Sequence, residues 1–124
     1  MTDHTEAVSR YLAIWNEPDA DTRATQIAEV FASTCSYTDP LASVDGREGV
    51  AAVISGAREQ FAGLEFSLLG TVDCHHNIAR FQWGLAPAGA DEPLAIGFDV
   101  AVTDDDGRIT SVLGFLDKVP AGVG

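Results

Sequence analysis

The sequence predicts an α+β fold: a cone-like, curved antiparallel sheet with three helices packed on its concave face. Two observations carry this reading. Apolar residues recur at helical spacing through most of the first half of the chain and at strand spacing through the second. Segregation of that kind gathers the helices on one face of an antiparallel sheet instead of threading them between parallel strands. The 124 residues suit one compact domain, so 1–124 is read as a single unit with its core over about 5–118.

The first helix is read over 5–16 (TEAVSRYLAIWN), where Ala7, Val8, Tyr11, Leu12, Ile14 and Trp15 form one broad apolar stripe. Thr5 is a plausible N-cap, and Asn16-Glu17-Pro18 stops the run. A second helix over 20–32 turns Ala24, Ile27, Ala28 and Phe31 inward, and the short connection makes the two a hairpin. A short strand over 34–39 puts Cys35, Tyr37 and Asp39 on one face, and Pro40 ends it by removing a ladder donor. Asp45-Gly46 marks a turn into a third helix over 47–62, with Val50, Val53, Ile54, Ala57 and Phe61 inward. Four strands follow, over 64–73, 78–87, 93–103 and 108–118, with Asp106-Gly107 as the last hairpin signal. A sheet that curls strongly leaves a hollow between itself and the helices, a natural place for a small molecule. Its expected apolar wall is Trp15, Phe31, Ile54, Phe61, Phe81, Trp83 and Phe115.

Composition narrows the function. With a net charge of −12 the chain lacks the basic footprint that displaces counterions from nucleic acid, and anionic membrane surfaces are disfavoured for the same reason. A neutral or cationic small ligand fits better than an anionic one. No apolar run is long enough to cross a bilayer, and MTDHTEAVSR lacks a basic start and an apolar stretch, so the cytoplasm is expected. Cys35 and Cys74 read as reduced, buried thiols. Cys74-His75-His76 has metal-like residue types, but neighbours in a strand point to opposite faces and cannot share one ion, so no metal site is expected. The Asp104-Asp105-Asp106 triplet reads as a solvated turn.

RYLAIWNEPD in the first helix, YTDP before the third, GFDV in the third long strand and DDDGRITSVLGFLD at the end occur in the order and spacing of a known superfamily. Over about 5–118 the chain resembles the nuclear transport factor 2-like domains, and within them SnoaL-like proteins and ketosteroid isomerase. The resemblance implies the cone-shaped α+β fold. It also implies three site positions: Tyr11 in the first helix, Asp39 before Pro40, and Asp99 in a late strand. Polyketide cyclases of the SnoaL type rely on an aspartate in that same late strand. In limonene-epoxide-hydrolase-like relatives an Arg and an Asp stand two apart on one strand; here Arg80 is followed by Gln82, and that constellation is broken.

Isomerase chemistry removes a proton α to a carbonyl, which needs a base and donors that hold the oxygen charge as it forms. The resemblance makes Asp39 the base and Tyr11 a donor to the oxyanion. Asp99 would donate as well, if an apolar site keeps it protonated as in ketosteroid isomerase. Bland readings stand beside these. Asp39 could end its strand with a local Asx-type bond, and Tyr11 could be a core residue with its hydroxyl at a rim. His75 and His76 suit hydrogen-bonded strand ends, with a proton shuttle as the other reading.

Strand parity poses a question for Asp99. Ile96, Phe98, Val100 and Val102 share one face; Gly97, Asp99, Ala101 and Thr103 share the other. Either Asp99 looks outward, or it faces the hollow and the bulky face is covered by a second subunit. The second option is expected, and with it a homodimer packed through the sheet. The functional expectation is a cofactor-independent isomerase or cyclase acting on a hydrophobic, steroid- or polyketide-like carbonyl compound. The alternative is a non-catalytic dimeric ligand-binding or oligomerisation domain.

Overall fold

A computed structural model describes residues 4–119; the first three residues of the stretch read as lacking a targeting signal lie outside them. Helices α1 (Thr5–Asn16) and α2 (Ala20–Val30) lead into strand β1 (Phe31–Thr38). The short β2 (Ser43–Asp45), helix α3 (Gly46–Gln60) and strands β3 (Leu64–His75), β4 (Ile78–Pro87), β5 (Ala95–Thr103) and β6 (Ile109–Lys118) complete the chain. The expected elements are present to within a few residues. β1 begins at Phe31, three residues earlier than its alternation suggested. β2 was read as turn, being too short to show a period of its own.

The sheet has the order β2-β1-β6-β5-β4-β3. Its neighbours run antiparallel except β1 and β6, which are parallel, so the expected antiparallel sheet is mixed at one seam. Register shifts interrupt β3 between Leu69 and Asp73 and the β5/β6 ladder at Ile96/Gly97 and Val102/Thr103. Extra residues of this kind bend a strand and raise its twist, which curls the sheet around the helices. α1 packs on β3 and α3 on β1, across the concave face.

Local chemistry fixes the helix ends. Asp19 caps α2 by accepting from the Thr22 amide at 2.9 Å and the Thr22 hydroxyl at 2.7 Å. Those bonds hold the Asp19 carboxyl below its ordinary range. His4, not Thr5, takes the position before α1, and its Nε2 lies 3.0 Å from the His76 carbonyl oxygen. His76 has φ 49° at the tip of the β3–β4 hairpin. Asn16 closes α1 onto β3: Nδ2 donates to the Phe66 carbonyl at 2.8 Å, and Oδ1 accepts from the Phe66 amide at 2.7 Å. No described helix is long and apolar enough to cross a membrane.

β5 alternates without a break. Ala95, Gly97, Asp99, Ala101 and Thr103 are buried, and Ile96, Phe98, Val100 and Val102 are half-buried. The inner residues of β5 are small because larger ones from α1 and β4 (Tyr11, Phe81 and Trp83) reach across them. Gly97 shows the limit of this economy: a Cβ there would fall inside the Trp83 indole.

Candidate active site

A cavity of about 270 Å³ lies between helices α1 and α3 and the sheet. Tyr11, Asp39 and Asp99 all line it, although they come from α1, the turn after β1, and β5. Of the seven residues expected to wall it, Trp15, Phe61 and Trp83 do so. The other four do not. Phe31, Ile54 and Phe81 are fully packed in the core beneath the cavity, at 0–2 % exposure. Phe115 is 59 % exposed on the outer face of the sheet, with Leu113, because β6 turns Val112, Gly114 and Leu116 inward instead. Tyr37 and Phe66 belong to the wall and were not singled out. The alternation that put Tyr37 on the Asp39 face was a usable signal; nothing in β3 marked Phe66.

Asp99 is 2 % exposed. Its Oδ2 accepts from the Tyr11 hydroxyl and from Trp83 Nε1–H, each at 3.2 Å. Both donors therefore occupy one oxygen, and a proton on Asp99 belongs on the other, Oδ1. That oxygen lies over Gly114, whose missing side chain makes the room: a Cβ there would stand 2.8 Å from Asp99 Oδ1 and 3.2 Å from Asp39 Cβ. Burial pushes the Asp99 carboxyl up to about 7; the Trp83 and Tyr11 hydrogen bonds pull it back, and the Asp39 charge adds to the rise. Burial, and next the Asp99 charge, also holds the Tyr11 phenol well above its ordinary value, so it stays a donor. Tyr37 is raised in the same way, by burial first and then by Asp99 and Asp39.

Asp39 sits in the opposite environment. Oδ1 accepts from the Leu41 and Ala42 amides at 2.8 and 2.9 Å, and Oδ2 accepts from the Tyr37 hydroxyl at 2.6 Å. This is the Asx turn that the bland reading expected, and the same turn aims the carboxylate at the cavity. A carboxylate has about four acceptor positions; the three bonds leave about one of them open on a residue that lines the cavity. The rings that complete the wall form a continuous chain. Centroids are 5.7 Å apart for Trp15–Tyr37, 5.3 Å for Trp15–Phe66 and 5.2 Å for Phe66–Trp83.

Other candidates lie elsewhere. Arg80 points away from the cavity and pairs with exposed Asp73 at 3.0 Å. His75 and His76 are exposed. Cys35 is buried and Cys74 half-buried, both free. Among the described residues no group of three or more His, Cys, Asp and Glu could hold a metal ion.

Two carboxyl groups in contrasting surroundings, a neutral phenol and an indole N–H thus converge on one apolar cavity. The combination can accept a proton at one point and donate one at another.

Residues 8–112 match the model of the SnoaL-like domain family. A candidate isomerase of the SnoaL-like family from Agrobacterium tumefaciens str. C58 has a similar structure, with 41% identity, a TM-score of 0.88, and coverage of 94% of this chain and 99% of that one. Two more distant structures share the fold at 17% identity. One is a SnoaL-like protein of unknown function from Burkholderia thailandensis (TM-score 0.71; 94% and 98% covered). The other is a candidate polyketide cyclase from Sinorhizobium meliloti (TM-score 0.68; 88% and 93% covered). No curated protein sequence matches the chain. With the family model spanning most of its length, this chain belongs to the SnoaL-like family, and its cone is the nuclear transport factor 2-like fold.

Proposed function

We propose that the protein is a cofactor-independent acid/base enzyme, an isomerase or cyclase, acting on a neutral hydrophobic carbonyl compound in the cytoplasm. One observation carries the reading. Asp99 is a buried carboxyl that lines a small apolar cavity, with one oxygen free of protein donors and a second carboxylate, Asp39, across Gly114. The 41%-identical A. tumefaciens protein, described as a candidate isomerase, supports it.

In the proposed cycle the substrate carbonyl oxygen accepts a hydrogen bond from Asp99 Oδ1–H. Asp39 takes the α-proton through its remaining acceptor position, and electrons move from the C–H bond toward the carbonyl oxygen. Tyr11 and Trp83, both donating to Asp99 Oδ2, keep the acidic proton on Oδ1. Return of the proton from Asp39 to a second carbon completes an isomerisation; attack of the enolate carbon on an internal carbonyl breaks its π bond, and the resulting alkoxide takes the proton held by Asp39 to complete a cyclisation. The cavity volume falls just under the usual lower end for ligand pockets, about 300 Å³. A one- or two-ring substrate therefore suits it better than a full steroid.

The test is turnover of small cyclic β,γ-unsaturated ketones, followed by the absorbance of the conjugated product. Asp99→Asn should lower kcat by roughly 10²–10³, as for loss of an oxyanion donor. Asp39→Asn should lower it by roughly 10²–10⁴, as for loss of a general base. The sign of the pH dependence follows from Asp99 working as its acid: kcat/KM falls as pH rises through about 7. A rate that climbs through 7 instead would make ionised Asp99 the base and remove Asp39 from that role.

The outer face of the sheet presents Leu113 and Phe115 exposed, beside half-buried Phe98 and Val100. A second copy packed there, giving a homodimer, is part of the same proposal.

A further inference from the structure

The cavity is one-sided in charge. Among the described residues that line it, the ionisable acids are Asp39 and Asp99, and there is no lysine, arginine or histidine. The groups facing Asp99 from each element are Tyr11 on α1, Tyr37 and Asp39 at the end of β1, Trp83 on β4 and Gly114 on β6. Both phenols are held neutral. α3 offers small residues and the Gln60 amide, and β3 offers Phe66. An anion placed here would meet two carboxyl groups and no counter-charge, inside a chain of net charge −12. A cation would meet the Asp99 oxygen that no protein donor occupies, together with the faces and edges of the Trp15–Phe66–Trp83 ring chain.

We infer that the cavity also takes a small hydrophobic ammonium ion, its N–H groups donating to Asp99 Oδ1 and to Asp39 and its alkyl body lying on the aromatic wall. The inference rests on the cavity being a ligand site, as proposed above, and extends that site to a cationic class. The hollow then holds one positive charge in either state. It is a proton on Asp99 Oδ1, or an ammonium beside the ionised carboxylate. Charge-assisted bonds to a carboxylate are stronger than those to a neutral acid, so the ammonium binds the ionised form and competes with the proton.

The pairing predicts a pH dependence opposite in sign to that of the proposed catalysis. Asp99 titrates at about 7, so its ionised fraction rises from about a tenth at pH 6 to about nine-tenths at pH 8. Trp15 and Trp83 stand in the wall and report binding by their fluorescence. The probes are cyclohexylmethylamine and cyclohexylmethanol, which share a shape. The amine stays protonated throughout, since alkylammonium groups lose their proton near pH 10.4.

Affinity for the amine should rise about tenfold from pH 6 to pH 8, while that for the alcohol changes less than twofold. Asp99→Asn should abolish the rise, and a urea-denaturation midpoint like the parent's shows that the variant is folded. Asp39→Asn should weaken the amine and keep a rise, moved to lower pH because the Asp39 charge no longer adds to the Asp99 shift. If the alcohol binds while the amine shows no rise, or binds as tightly as the amine at pH 8, the ammonium inference is overturned and the neutral-ligand reading stands. A rise that survives in Asp99→Asn overturns the assignment to Asp99. If neither probe binds, both readings fall together.

Discussion

Asp99 is expensive to keep charged. Moving a carboxyl from 3.8 to about 7 disfavours the ionised form by on the order of 4 kcal/mol. The indole and phenol donors on Oδ2 keep that figure from being larger. Its dry surroundings depend on a close fit between neighbours, above all the Trp83 indole lying on Gly97. Gly97→Ala would have to push that indole away, since the added methyl overlaps it. We expect a loss of roughly 1–3 kcal/mol of unfolding free energy, typical of overpacking, read from urea denaturation at unchanged m-value. Stability equal to the parent would mean that the indole does not rest there. Sequence alone left the direction of Asp99 open, because the bulky residues of β5 are its neighbours and not its face-mates. The inner face is filled from α1 and β4, and a single strand's alternation does not report what its partners supply.

The elements that hold the site are pinned at few points. Asn16 exchanges two hydrogen bonds with the Phe66 backbone, so the end of α1 fixes the stretch of β3 that walls the cavity. Asn16→Ala would leave a half-buried amide and carbonyl unpaired, and we expect a destabilisation of about 1–3 kcal/mol by thermal or chemical denaturation. A change below a few tenths of that range would show the clasp to be replaceable by water. Helices and long strands were legible because each carries its own periodicity, as in the stripe from Val8 to Trp15. The parallel seam between β1 and β6 was not, since it joins segments more than 70 residues apart and is set by how the sheet closes. Residues 31 and 32 look helical in sequence, yet the Arg47 guanidinium donates to the Phe31 carbonyl at 2.9 Å and to the Ala28 carbonyl at 3.2 Å where α2 ends.

The molecule as a whole presents two faces of unequal character. Its hollow is lined by rings and acids, while its outer sheet leaves Phe115 and Leu113 in contact with solvent in a single chain. Phe115→Glu is expected to halve the mass measured by sedimentation if that face joins two copies; a monomeric parent protein would remove the dimer from the proposal. Of the seven apolar residues expected to wall the cavity, Phe115 lies on the outer face of the sheet, and Phe31, Ile54 and Phe81 pack in the core instead, because size and apolarity mark a residue as buried without saying whether it faces packed atoms or open space. The account turns on a protonated carboxyl at the bottom of that space. The most direct measurement is the carboxyl-carbon NMR titration of Asp99 in the intact protein: a midpoint near 7 is predicted, and a midpoint near 4, ordinary for an aspartate in water, would contradict it.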